Sequence, residues 1–193
     1  MSVIALFGGT FNPFHIGHYE ILRSLCEKEW IDKVFIMPDN LPPHKKCDFL
    51  ASDEDRINMC KLASEDFRKS QVCLIEFERE GKSYSIDTVV SLKKRYPDDE
   101  FYFVCGADMI STLDKWNSWN RLINEVNFIA FSREGYDKFE FHVERMRNLG
   151  AKITVMTEKI TEISSSELRK NLSEDMIPKK IYQYLVSRKI YNE

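Results

Sequence analysis

Two histidines three residues apart, His15 and His18, close an eleven-residue stretch that opens with two glycines. It reads Gly8-Gly9-Thr10-Phe11-Asn12-Pro13-Phe14-His15-Ile16-Gly17-His18. Glycines after a strand let the backbone come close to a ligand and take dihedrals that other residues avoid. Thr10 and Asn12 offer hydrogen bonds in the turn, and Pro13 favours extended backbone at Asn12. The spacing places His15 and His18 on one face of a first helical turn. Free N–H groups and the positive end of the helix dipole gather there. Two imidazoles at such a terminus make a clamp for a polyphosphate. Phosphoryl and nucleotidyl transfers depend on positioning and charge stabilisation, so no nucleophilic side chain is required. The stretch is neither a P-loop nor a complete G-x-G-x-x-G fingerprint.

A second constellation lies far along the chain, at Ile163-Ser164-Ser165-Ser166-Glu167-Leu168-Arg169. Locally, Ser164 and Glu167 form an S-x-x-E capping box. Three serines at a helix start also make an anion site, and Arg169 adds a guanidinium for a phosphate. The two readings are compatible. Between these constellations, residues 38–52 show no periodicity and carry Pro42-Pro43-His44-Lys45-Lys46. A long loop with a basic tip suits either phosphate binding or a solvated surface.

Short apolar runs at 3–7, 33–37, 72–76, 101–105, 128–131 and 152–155 read as buried strands. Helical periodicities run over 16–29, 53–67, 85–96, 139–149 and 177–189. The alternation predicts an α/β fold, a parallel sheet covered by helices on both faces. Such sheets bind ligands beyond the carboxyl ends of their strands, at a topological switch point. The residues singled out above fall at that edge. Length favours one domain, 1–193, with a small helical portion from about 160.

The 43% hydrophobic and 31% charged fractions are those of a globular protein. A formal net charge of -3 disfavours a protein that grips long nucleic acid by neutralising phosphates. A local pocket can still be positive for a small anion. Cys26, Cys47, Cys60, Cys73 and Cys105 are scattered, odd in number and without a C-x-x-C pair, which argues against a disulfide framework or zinc site. No basic leader precedes the first apolar run, and no apolar run reaches the roughly 20 residues of a membrane span, so a cytoplasmic protein is expected. An aromatic content of 12% would permit an apolar interface between copies.

Residues 8–18 resemble the (T/H)xGH-type signature of the nucleotidylyltransferase superfamily, whose members share a Rossmann-like, doubly wound fold. The letters His15-Ile16-Gly17-His18 also occur in class I aminoacyl-tRNA synthetases. Those are much larger and carry a lysine-rich K-M-S-K-S loop that this chain lacks. Residues 163–169 are similar to the I-S-S-T/S-x-I/V-R motif of adenylyltransferases in the superfamily. Ser83-Tyr84-Ser85-Ile86-Asp87-Thr88 resembles the S-Y-T-I-D-T of bacterial nicotinate mononucleotide adenylyltransferases. Cys105-Gly106-Ala107-Asp108-Met109 matches their G-A-D-M segment, and 38–45 their P-x-x-x-P-P-H-K loop. Trp116 falls where that family places an aromatic against a pyridine ring. The resemblance spans nearly the whole chain in the expected order. Departures are small: serine for threonine at Ser85 and Ser166, Cys105 for an aliphatic, and Glu134 for proline after Arg133.

The resemblance implies transfer of AMP from ATP to nicotinate mononucleotide, with release of pyrophosphate. ATP and the mononucleotide are then the partners, and Mg²⁺ comes with the ATP phosphates, held by them and water and by no dedicated protein metal site. His15, His18 and Arg169 are expected to stabilise the triphosphate, with Gly8, Gly9, Thr10, Phe11, Ile163, Ser164 and Ser165 beside them. Gly106 would admit the adenosine, and Asp108 would bond its ribose hydroxyls. Thr10, Asn12, Tyr84, Ser85, Thr88 and Trp116 are expected around the mononucleotide, with His44, Lys45 and Arg133 as candidates for its phosphate. Trp116 could equally be a core aromatic, and Asp87 is expected to be structural. An adenylyltransferase for nicotinamide mononucleotide or phosphopantetheine, and a non-catalytic nucleotide sensor, are the alternatives.

Overall fold

The computed structural model describes residues 1–40, 50–79, 84–133 and 138–191. Six parallel strands form one sheet: β1 (Val3–Gly9), β2 (Lys33–Pro38), β3 (Ser70–Val72), β4 (Glu100–Gly106), β5 (Asn127–Arg133) and β6 (Ile153–Ile160). Their order is β3-β2-β1-β4-β5-β6. A parallel strand buried on both faces needs apolar residues at successive positions. In β1, Ile4 and Leu6 enter the core layer on one face, while Ala5 and Phe7 enter the other.

The first layer is covered by α3 (Ser85–Arg95), α4 (Ala107–Thr112), α5 (Trp119–Glu125) and α6 (Phe139–Asn148), which contribute Val89, Ile110, Leu122 and Val143. The second is covered by α1 (Ile16–Glu27), α2 (Asp53–Ser64), α7 (Ser165–Lys170) and α8 (Lys179–Ser187), which contribute Leu22, Met59, Leu168 and Ile181. This is the expected doubly wound sheet. From β1 the chain passes to a helix on one face, and from neighbouring β4 to a helix on the other. The two connections diverge, and a crevice opens at the carboxyl ends of these strands.

Three departures from the sequence expectations have local causes. The third strand is Ser70–Val72, which holds only Val72 of the run expected as strand, while Ile75 and Glu76 fall in a 3-10 turn, Ile75–Glu78. Short apolar runs carry no period that separates these states. Here Ile75 turns into the core, at 2% exposure, while the Asn40 amide bonds the Glu76 and Arg79 carbonyls and holds the bend. Helices α4 and α5 were not expected, because six and seven residues are too few to show a helical period. The last strand runs to Ile160, beyond the expected residue 155.

The C-terminal helix packs into the second core layer through Ile181 and Leu185. Its polar side is latched to α2: the Tyr184 hydroxyl donates to Asp55 Oδ1 at 2.7 Å, and Arg188 Nε donates to the same oxygen at 3.1 Å. Burial of Asp55 opposes its charge, but the hydrogen bonds from Ser52 and Tyr184 and the Arg188 guanidinium outweigh it, so the carboxyl lies below its usual range. A depressed carboxyl stabilises the fold above its unfolded value, and that contribution is lost as pH falls through the folded value. Asp55→Asn is therefore expected to cost about 1–3 kcal/mol at pH 7. The gap from the unsubstituted protein should narrow below about pH 4, as read by urea unfolding across that range. A gap that does not change with pH would contradict this latch.

Candidate active site

A cavity of about 610 Å³ occupies the crevice, within the range of small-molecule sites. Its floor is the carboxyl end of the sheet: Gly8 and Gly9 from β1, Met37 from β2, Gly106 from β4 and Phe131 from β5. One wall is the loop from β1 to α1, with α7 beside it. The opposite wall comes from the starts of α3 and α4 and from Trp116.

The two histidines are stacked, with ring centroids 3.6 Å apart and planes 20° from parallel. His15 is the N-cap of α1. The His18 N–H donates to Nδ1 of His15 at 3.4 Å, and the His15 N–H donates to Nδ1 of His18 at 3.3 Å. An imidazole whose Nδ1 accepts carries its proton on Nε2, where it is a donor. His18 lines the cavity, whereas His15 is only 7% exposed and lies behind it. The pair is thus one unit with a single exposed member.

The glycines act differently from the sequence expectation. Gly8 and Gly9 are ordinary strand residues, and the left-handed dihedral of the loop falls on Phe11, at φ 48°. The Phe11 ring is 1% exposed, stacked on Phe14 at 5.0 Å and edge-on to His18 at 5.1 Å. A Cβ on Gly9 would come within 3.1 Å of that ring, so the glycine makes room for Phe11. Gly17 is tighter still: a Cβ there would lie 2.7 Å from the Thr161 carbonyl oxygen. Thr161 bonds the Glu20 carboxylate through both its N–H and its hydroxyl, at 2.7 and 2.9 Å. That contact brings the segment leading to residues 163–169 against α1.

The distal motif consequently meets the first loop. Ser164 caps α7, accepting from the Glu167 N–H at 3.3 Å, and Ile163 packs on the second core layer. Ser165 and Arg169 line the cavity. Arg169 Nη1 donates to the Asn12 carbonyl at 2.9 Å and Nη2 to Ser166 Oγ at 3.1 Å, which leaves the guanidinium at the wall with further donors.

On the other side, Gly106 caps α4, and Asp108 stands exposed in its first turn. Tyr84 and Ser85 line the cavity where α3 begins. Trp116 packs edge-on to Phe103 at 5.9 Å, as a core aromatic does, and also lines the cavity. Thr88 is fully buried behind this wall. Its hydroxyl donates to Glu76 Oε1 at 3.0 Å and accepts from Arg79 Nη2 at 2.5 Å. Arg133 ends β5, and its side chain lies outside the described residues. His44, Lys45, Ser83 and Glu134 lie outside the described residues. Burial pushes the Cys105 thiol far up, and that of Cys26 to about 11, so these act as neutral packing groups.

A family model described as cytidylyltransferase-like matches residues 6–171. The nicotinate-nucleotide adenylyltransferase of Bacillus subtilis is 36% identical over 192 residues, covering 99% of both chains. The chain belongs to the nicotinate-nucleotide adenylyltransferase family. The protein of Bacillus licheniformis named probable nicotinate-nucleotide adenylyltransferase is likewise 36% identical, over 196 residues and 99% of both chains. Among solved structures, Plasmodium falciparum nicotinic acid mononucleotide adenylyltransferase shares the fold. Its complex with NaAD gives a TM-score of 0.81 at 21% identity, over 100% of this chain and 98% of that one.

Residues of this family member that sequence reasoning missed form the support beneath the loop. Arg56 is 0% exposed and donates to the Thr10 carbonyl at 3.1 Å and to the Asp39 carbonyl at 2.8 Å. The Thr10 hydroxyl, at the cavity, donates to Asp39 Oδ2 at 2.9 Å. No local pattern distinguishes a buried arginine in a charged helix from a solvated one. Gly17 did carry a signal: glycine inside a helix costs about 1 kcal/mol relative to alanine, so a close approach is a reason to keep it. Gly17→Ala is expected to destabilise the protein by about 1–3 kcal/mol, because the obstacle is backbone. It should also cut turnover of the remaining folded protein by pushing α7 from the loop. Thermal melts with parallel kinetics check both; a variant of unchanged stability would contradict the 2.7 Å approach.

Proposed function

We propose that the chain transfers the AMP moiety of ATP to nicotinate mononucleotide, giving deamido-NAD and pyrophosphate. The observation that carries this reading is the crevice between diverging β1 and β4, with His18, Ser165 and Arg169 on one wall and Trp116, Tyr84 and Ser85 on the other. It offers an anion clamp and an aromatic wall in one cavity.

In this reaction an oxygen of the mononucleotide phosphate attacks the α-phosphorus of ATP. A new P–O–P bond forms, the bond from the α-phosphorus to its bridging oxygen breaks, and pyrophosphate leaves. Negative charge builds on the departing oxygens. The Nε2–H of His18, the Ser165 hydroxyl and the Arg169 guanidinium stand where they can receive it. His15 holds His18 in the required tautomer and orientation. Asp108 binds ribose hydroxyls beside Gly106. The start of α3, with Ser85 and its backbone N–H groups, receives the nicotinate carboxylate, while Trp116 packs the pyridine ring. Thr88 supports that wall from behind. His44, Lys45 and Arg133 are proposed for the mononucleotide phosphate.

Among the described residues, no three His, Cys, Asp or Glu side chains are grouped to hold a metal ion. We propose that Mg²⁺ arrives on the triphosphate, coordinated mainly by phosphate and water oxygens, where it neutralises charge. No helix among the described residues is long and apolar enough to cross a membrane, and we place the activity in the cytoplasm.

Pyrophosphate release is measured with ATP and Mg²⁺ plus nicotinate mononucleotide, nicotinamide mononucleotide or phosphopantetheine. The first acceptor is expected to be used best; folded protein inactive with all three would refute the enzymatic reading. His18→Ala should lower kcat by about 10²–10³-fold, while calorimetry still detects ATP binding. Loss of binding in proportion to turnover would instead assign His18 to ground-state affinity.

A further inference from the structure

Tyr191 has no part in the chemistry above, yet its hydroxyl donates to Oδ1 of Asn12 in the middle of the nucleotide loop. It lies in the turn after α8 at φ 64°, with Lys189 at φ 54°. Left-handed backbone is unfavourable for such residues and persists where surrounding contacts hold it. Those contacts are present. The Tyr191 ring packs on the second core layer, Ile190 is 8% exposed, and the Ile190 N–H donates to the Leu185 carbonyl at 3.0 Å.

Asn12 is a junction. It is 3% exposed at the rim of the cavity. Its Oδ1 also accepts from the Ala51 N–H at 3.0 Å, and its carbonyl accepts from Arg169 at 2.9 Å. The segment before α2, the last turn of α7 and the turn after α8 therefore converge on one residue. An amide oxygen that takes two donors has its orientation fixed. The peptide that anchors Arg169 belongs to the same residue.

We propose that Tyr191 is a positioning residue for the transfer of AMP. Through its hydrogen bond to Asn12 it fixes the loop peptide on which Arg169 is anchored. It thereby keeps that guanidinium in register with the charge developing on the leaving pyrophosphate. The proposal rests on the AMP-transfer function above. It places a determinant of the phosphate site 179 residues beyond Asn12 in sequence.

Tyr191→Phe keeps the packed ring and removes only the hydroxyl. It is expected to lower kcat about tenfold and to change KM for ATP and for nicotinate mononucleotide less than twofold, because the adenosine and pyridine walls are untouched. In an Asn12→Ala background the same substitution should cause no additional loss, since the partner is gone. Unchanged kcat, an undiminished effect in the Asn12→Ala background, or a loss that tracks the unfolded fraction in thermal melts would each overturn the role. The unsubstituted protein assayed alongside separates the two claims. Its silence counts against AMP transfer; its activity, matched by Tyr191→Phe, counts against Tyr191.

Discussion

Two neighbouring parallel strands whose helices leave toward opposite faces set the terms for the whole site. The helices that follow β1 and β4 pack on opposite faces of the sheet, so the crevice is a consequence of strand order and not of any single side chain. His18, Ser165 and Arg169 line that gap on one side, and Tyr84, Ser85 and Trp116 line it on the other. The first group is the proposed phosphate clamp, and beside the second Gly106 caps α4 at the end of β4.

An open crevice does not hold a loop still, and much of the buried polar structure serves that purpose. Arg56 is fully buried and bonds two carbonyls of the loop and of the end of β2, as well as the Asp39 carboxylate. Removing one partner of a buried charge typically costs about 3–5 kcal/mol, which makes such a residue a rigid support. Gly17 lets the Thr161 backbone approach, and Arg169 then reaches the Asn12 carbonyl. The reciprocal bonds of His15 and His18 tie both rings to the first turn of α1. Preorganisation of this kind is what charge-stabilising catalysis requires.

The architecture was legible because successive apolar residues in short runs, separated by helical periods, leave little choice but a parallel sheet. That the stretch from Gly8 to His18 lines the crevice was legible from its place between the first strand and the first helix. Legibility failed where the cause is tertiary. The run 72–76 bends at Leu74 because Asn40, from another element, holds the Glu76 and Arg79 carbonyls. The role expected of the glycine dihedrals passed to Phe11, which a packed cluster of aromatic rings holds at positive φ. Thr88 sits in a motif at a cavity wall, yet its side chain turns to Glu76 and Arg79, and helical phase alone does not reveal that partner. Arg56 and Tyr191 act across 46 and 179 residues of sequence, and no window contains both ends of such contacts.

The central claim is a single displacement at the α-phosphorus, carried out by positioned donors with no covalent intermediate on the protein. The stereochemical course of the reaction tests it most directly, using ATP made chiral by sulfur at the α-phosphorus and nicotinate mononucleotide as acceptor. Inversion at that phosphorus in the dinucleotide product is the predicted result. Retention would require two displacements and a nucleophilic side chain, and would contradict the account.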